Sequence, residues 1–227
     1  MEMLNASTKI KVVYIENITS HINERDIEGV DFISIDNKSD EEITNILQGT
    51  DMVFTIAFDE TEKIAKIAKE CGALVLSFVD KEITSNIVDT YFVIEQNKII
   101  EGLNIIQAIV DLIEVPGLVN LDFHDVKSVL GNANRGYVGT GEAVGKNATT
   151  EAVKLAIDSI ENISNAKSLL LNILGSPDSL SMIEINEASV KLQEAVHQDA
   201  EIIWGVSVDE SFGERIKVTI VAANIAV

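Results

Sequence analysis

Asn120, Asp122 and Asp125 sit together in the stretch VPGLVNLDFHDV (115–126), with no basic residue beside them before Lys127. The local reading of this spacing is helix capping. Asp122, two residues past Asn120, accepts from the N–H groups of the first turn of a following helix, and Asp125 falls in that acidic first turn. A functional reading has to come from the rest of the chain.

The other chemistry-bearing residues are dispersed. His21, His124 and His197 are far apart, and none has a metal-ligand spacing such as His-x-x-x-His. Cys71 stands at a predicted helix end beside Gly72, with no histidine near it in sequence, and reads as a buried structural thiol rather than a nucleophile. Trp204, in IIWGV, is expected in a strand core, while Glu184 and Glu187 flank Asn186 on a predicted helix and read as a solvated face. The segment GNANRGYVGTGEAVG (131–145) carries Gly139-x-Gly141-x-x-x-Gly145, one residue off the dinucleotide fingerprint and with Glu142 inside it. It reads as a glycine-flanked strand entering a helix near Asn147. No phosphate loop of the Gly-x-x-x-x-Gly-Lys-Ser/Thr type occurs, and neither a metal nor a cofactor is expected.

Charge narrows the partners. The 227 residues carry 37 acidic against 17 basic side chains, a formal net charge of −20. Such a surface repels phosphate backbones and anionic lipid, so nucleic-acid and membrane-surface roles are disfavoured, whereas a basic partner is allowed. Cys71 is the single cysteine and forms no internal disulfide, which suits a reducing cytosol. The start MEMLNASTKI has no basic region followed by an apolar stretch, so no signal peptide is expected. The most apolar segment, 99–119, is interrupted by Glu101, Asp111 and Glu114, so no membrane insertion is expected either. A cytoplasmic protein is the expectation.

These residues must be positioned by alternating elements. In the first half, strands are expected at IKVVYI (10–15), DFISI (31–35), DMVFTIA (51–57), ALVLSFV (73–79) and TYFVI (90–94). Helical patterns at 41–47 and 62–71 lie between them. Short apolar strands separated by helices predict a parallel sheet covered on both faces. A longer helix is predicted over 98–113, ended by the Pro116-Gly117 turn. Beyond it the pattern predicts a helix near 123–130, a strand at 136–143, a helix over 149–163, a strand at 168–174 and a helix over 183–196. Two strands, 201–208 and 215–223, follow as neighbours joined tightly by DESFGE. The fold class expected is α/β: a Rossmann-like parallel-sheet subdomain (1–97), a linking helix (98–114) and an α+β subdomain (115–227).

An α/β sheet that binds a nucleotide does so at its βα turns, where glycines let backbone N–H groups approach phosphates. Of the thirteen glycines, only Gly29, Gly49, Gly72 and Gly102 precede residue 117. The turns IENITSH (15–21), IDNKSD (35–40) and AFDETEK (57–63) contain none, and Glu16, Asp36, Asp59, Glu60 and Glu62 repel a phosphate. The first half has the architecture of a nucleotide binder without its chemistry.

From residue 115 onward the chain resembles FtsZ, the bacterial and archaeal cell-division GTPase related to tubulin. VPGLVNLDFHDVKSVL (115–130) is similar to that family's synergy loop with its Asn-x-Asp-x-x-Asp pattern, and GYVGTGEAVGKNATTEAVKLAI (136–157) to its Met-Gly-x-Gly-Glu-Ala-x-Gly segment. The likeness continues through LLLNILGSPDSLSMIEINEA (169–188), DAEIIWGVSVDES (199–211) and RIKVTIVAA (215–223), and more faintly but collinearly through the first half. The departures concentrate on one ligand-binding rim. ENITSH stands where the family's first glycine-rich loop belongs, and FDETEK where Gly-Gly-Gly-Thr-Gly-Thr-Gly belongs. The segment after ISID and the region after VIEQ are shortened.

The resemblance implies a shortened, degenerate FtsZ-like protein with no GTP site and no GTPase activity of its own. In that family the synergy loop of one subunit enters the nucleotide pocket of the next, where its acidic side chains position the attacking water. Asn120, Asp122 and Asp125 match that pattern, with Leu121, Phe123 and His124 as the implied contact residues around them. The expected role is to bind or cap FtsZ-type filaments and to modulate their assembly or GTP hydrolysis. The alternative is a nucleotide-independent, self-associating cytoskeletal scaffold. Because the chain ends directly after its final strand, tethering through the family's C-terminal tail is not expected.

Overall fold

The computed structural model describes residues 8–15 and 27–225. The chain divides into two compact units, one running to Ile106 and the other from Gln107. The division falls inside a helix, α3, that spans Ile99–Glu114.

The first unit is built on five parallel strands: β1 (Ile10–Tyr14), β2 (Val30–Ser34), β3 (Met52–Ile56), β4 (Leu74–Val79) and β5 (Thr90–Val93), in the order β2-β1-β3-β4-β5. Every residue of β3 and β4 is buried, as strands covered on both faces must be. Strand alternation sorts the two faces. One face presents Val53, Val75 and Tyr91 to α1 (Asp40–Leu47) and α2 (Thr61–Glu70), whose Ile43, Leu47, Ile64 and Ile67 complete a single core. The other carries Phe54, Phe78 and Phe92, with ring centroids 6.3 Å and 5.5 Å apart along the row. Gly102 lets α3 lie close to that row, since a Cβ there would stand 3.4 Å from Phe78 and 2.9 Å from Ile94. The helix-covered parallel sheet expected from the strand spacing is therefore present.

One buried charge ties this unit together. Asp89 is 2% exposed, takes the Lys69 ammonium at 2.6 and 2.7 Å, and accepts from the Val75 N–H at 2.9 Å. The ion pair and the backbone bond offset part of the cost of burying this carboxylate.

The second unit holds β6 (Gly117–Val119), α4 (Phe123–Leu130), β7 (Asn134–Val144), α5 (Ala148–Asp158), β8 (Ser168–Gly175), α6 (Met182–Ala195), β9 (Glu201–Val208) and β10 (Arg215–Ala223). Its strands run in the order β7-β10-β8-β9-β6, with β8 and β9 parallel and the other pairs antiparallel. Helices α5 and α6 cover one face through Ala152, Ala156, Ile185, Ala188 and Leu192, and α4 packs on β8 and β10.

Three sequence expectations are corrected here. Strands β9 and β10 are not neighbours: β8 lies between them, and DESFGE holds a 3-10 turn (Glu210–Phe212) within a crossing connection. The reason is burial, because Leu169 to Gly175 is buried throughout and takes the centre, whereas β9 exposes Glu201 and Trp204 and takes an outer place. The helix predicted to reach Ile163 stops at Asp158. The Ser159 hydroxyl turns back onto the Ala156 carbonyl at 2.7 Å, and Asn162 takes a left-handed φ of 55°. Ile160 and Ile163 still face the core, from irregular backbone. Finally, Gly117 belongs to the edge strand β6 rather than to a Pro-Gly turn. A Cβ there would stand 1.9 Å from the Val206 carbonyl oxygen, so the strand approaches β9 this closely only as glycine.

Candidate functional site

The loop between β6 and α4 is fixed by its own polar side chains. The Asn120 Oδ1 accepts from the Gly117 N–H at 2.7 Å, closing the chain back on the start of β6. Asp122 is the N-cap of α4 in extended backbone, and its Oδ1 accepts from the Asp125 N–H at 3.0 Å. Asp125 returns the bond, its Oδ2 accepting from the Asp122 N–H at 2.9 Å. This is a reciprocal capping box built from two aspartates, and it places both negative charges at the positive end of the helix. Each carboxylate uses one oxygen in the box and keeps its second outside it. The capping reading of Asp122 and Asp125 therefore describes the loop, and it is compatible with a role for the free oxygens.

The three residues expected as contacts separate. His124 is exposed, and Phe123 is half-buried with the Lys127 ammonium 5.9 Å from its ring centroid. Leu121 is only 4% exposed and does not belong to the presented surface. It lies over Gly205, where a Cβ would meet Leu121 Cγ at 2.8 Å, and so anchors the loop on β9. Sequence reading missed Leu118 and Val119, which stand 67% and 38% exposed on β6. Their only signal was an apolar pair directly after Pro116-Gly117.

The rim of the parallel sheet looks different. Residues 16–26, which include ENITSH and His21, lie outside the described residues. After β2 the chain enters α1 through Ser39, whose hydroxyl accepts from the Glu42 N–H at 3.3 Å while Glu42 accepts from the Ser39 N–H at 2.8 Å. The start of α1 is thus occupied by its own carboxylate. After β3 a 3-10 turn (Phe58–Glu60) leads straight into α2, with Asp59, Glu60 and Glu62 around its first turn. Lys63, the cation that follows them, is held by Asp40 at 2.8 Å.

The remaining candidates resolve plainly. Gly139 and Gly141 lie in β7, where a Cβ would meet the Ala156 and Ala152 carbonyl oxygens at 2.4 and 2.1 Å, so they bring α5 onto the sheet. Asn147 is the N-cap of α5. Cys71 is half-buried at the end of α2, with its Sγ 3.8 Å from the Thr44 carbonyl oxygen, and burial pushes its thiol pKa up. That environment disfavours the thiolate, as a structural thiol requires. Trp204, expected in the core, is 40% exposed because β6 covers only the far end of β9. Glu184, expected on a solvated face, is half-buried and accepts from the hydroxyl of buried Thr149 at 3.0 Å. Among the described residues no three His, Cys, Asp or Glu side chains gather as a metal site, and no helix is long and apolar enough to cross a membrane.

Known proteins share this fold. Residues 134–226 match the model of the FtsZ family, C-terminal domain. An empty dimer of FtsZ from M. jannaschii is similar in structure with a TM-score of 0.76 at 23% identity, over 95% of this chain and 88% of that one. A tryptophan-to-tyrosine mutant of the same FtsZ gives 0.78 at 22%, over 96% and 92%. The GTPγS-bound protofilament of CetZ2 from Haloferax volcanii gives 0.69 at 11%, over 96% and 93%. The chain has the fold seen in FtsZ and CetZ2, and its residues 134–226 match the model of the FtsZ family's C-terminal domain.

Proposed function

We propose that this chain binds an FtsZ-type filament subunit through the loop carrying Asn120, Asp122 and Asp125, and holds no GTP of its own. The observation that carries this reading is a contrast between two regions. The acidic loop is held by its own hydrogen bonds, with both carboxylates oriented by the capping box. The starts of α1 and α2, where a parallel sheet of this kind holds a nucleotide phosphate, are lined by Glu42, Asp59, Glu60 and Glu62 and contain no glycine. A head-to-tail contact that offers no second receiving face terminates a filament, so the chain acts as a cap. The free oxygens of Asp122 and Asp125 orient water at the partner's nucleotide, where catalysis consists mainly of positioning and electrostatics.

The deciding experiment adds the chain at stoichiometric ratio to a purified FtsZ assembling with GTP, and follows pelleted polymer and phosphate release. The expected result is a fall in polymer mass with altered turnover per FtsZ. Unchanged values of both refute the reading. A thermal shift of the chain with GTP alone refutes the absence of a site.

Self-association is the second reading, favoured by the exposed Leu118, Met182 and Ile183 and by the dimer and protofilament forms in which its structural relatives occur. Light scattering of the purified chain without nucleotide separates the two: growing particles support a scaffold, a monomer supports a cap.

A further inference from the structure

Strand β9 is half covered. On one side it pairs with β8 along its full length, from Glu201 opposite Ser168 to Val208 opposite Gly175. On the other side β6 reaches only Val206 and Ser207, and the chain then leaves the sheet with Leu121 lying over Gly205. Among the described residues no strand pairs with Glu201-Ile202-Ile203-Trp204 on that side, and these four form an open sheet edge.

The hydrogen bonds show which backbone groups face outward. The Glu201 N–H donates to the Lys167 carbonyl, toward β8, and the Val208 N–H donates to the Pro116 carbonyl, away from it. Alternation along the strand then points the N–H and C=O of Ile202 and Trp204 out of the open edge. Natural sheets blunt such edges with lysine, proline or a bulge, because an unpaired ladder recruits another strand. This stretch has none of these devices. It offers instead a large aromatic side chain 40% exposed, with Ile202 and Ile203 half-buried beside it.

Charge selects the occupant. Asp199, 77% exposed, precedes the edge and exposed Glu201 opens it; Lys167 is the cation beside Glu201. A second copy of a chain with net charge −20 is repelled from this surface. We propose that β9 accepts an extended, basic segment of a partner protein, added as a strand along Glu201–Trp204 with its apolar side chains on Trp204 and its lysines or arginines toward Asp199 and Glu201. Backbone pairing on β9 is independent of the roles given to Asp122 and Asp125.

Trp204 is the single tryptophan of the chain and reports directly on the edge. The probe is an eight-residue peptide of alternating lysine and valine, titrated into the 227-residue chain while tryptophan emission is followed. A saturable blue shift is expected, with affinity at least tenfold lower for the same peptide N-methylated on alternate residues, which keeps charge but loses the ladder. Ile202→Pro removes an outward N–H without touching the β8 ladder and is expected to weaken binding to the same degree. The methylated peptide decides the matter even if that variant unfolds. No shift with the lysine peptide up to millimolar concentration, or equal shifts with both peptides, overturns the proposal. A blue shift that grows with the concentration of the chain alone assigns the edge to a second copy and overturns it too.

Discussion

Asp122 and Asp125 hold each other in place, each carboxylate accepting from the other's backbone N–H, at 3.0 and 2.9 Å. The pair that the proposed function assigns to a partner's nucleotide is therefore also the cap of α4, and an alanine substitution confounds the two roles. Asparagine separates them, because it caps as well as aspartate but carries no charge. Asp122→Ala is expected to cost about 1 kcal/mol, lowering Tm by roughly 2–4 °C. Asp122→Asn is expected to keep the wild-type Tm, and both variants are expected to lose the effect on FtsZ turnover. Thermal unfolding alongside the GTPase assay checks this; full activity in Asp122→Asn would show that its charge is not used.

Gly141 faces α5 so closely that a Cβ would stand 2.1 Å from the Ala152 carbonyl oxygen and 2.8 Å from the Ala156 nitrogen. Both obstacles are backbone, which cannot swing aside as a side chain does. Gly141→Ala must push α5 off the sheet and is expected to cost about 3 kcal/mol, the upper part of the range for overpacking. Gly145 is the control. It has φ of 88° and open space where a Cβ would stand, so its alanine variant meets only backbone strain, on the order of 1 kcal/mol. Urea midpoints for the two variants rank them; a smaller loss at position 141 than at 145 contradicts this packing.

Much of this fold was legible because its strands carry strong local signals. The run LLLNIL in β8 and the alternation in EIIWGVSV and RIKVTIVAA set those elements to within a residue. What sequence could not place was pairing. DESFGE looks like a hairpin connection, yet which strand sits in the middle depends on how much of each is buried, and β8 takes that place by being apolar on both faces. The same limit hid the open edge, since Trp204 reads as core until the three-residue reach of β6 is known. At the candidate site the caps were readable from the spacing of Asp122 and Asp125. The burial of Leu121 was not, because it depends on Gly205, 84 positions away by subtraction of their numbers.

Lys69 and Asp89 form an asymmetric pair, with side chains 38% and 3% exposed. Removing the lysine takes the countercharge from a buried carboxylate, whereas removing the carboxylate leaves an ammonium that can reach water. Lys69→Met is therefore expected to cost about 3 kcal/mol, the lower end of the range for breaking a buried pair, because the carboxylate keeps the Val75 N–H. Asp89→Asn retains an acceptor for the Val75 N–H and is expected to cost about 1–3 kcal/mol. Chemical denaturation of both variants and of the double substitution gives the coupling between them. Equal losses from the two single variants would count against the asymmetry.

The box at the start of α1 makes stability depend on pH. The Glu42 carboxyl is held below its ordinary value of 4.5, first by the Ser39 backbone N–H and then by the Ser39 hydroxyl, both donating to it. A carboxyl whose pKa is lower in the folded than in the unfolded chain stabilises the fold above its unfolded value, and that contribution disappears as pH falls through the folded value. The stability difference between wild type and Glu42→Gln is therefore expected to be constant from neutral pH down to about 4.5 and to shrink below it. Carboxyl-carbon NMR titration measures the cause directly. Glu42 is expected to titrate below 4.5 in the wild-type chain and to move up in Ser39→Ala, which removes the hydroxyl but keeps the backbone donor. Because the backbone bond is the larger cause, the upward move is expected to be partial, and a return all the way to 4.5 would reverse that ranking.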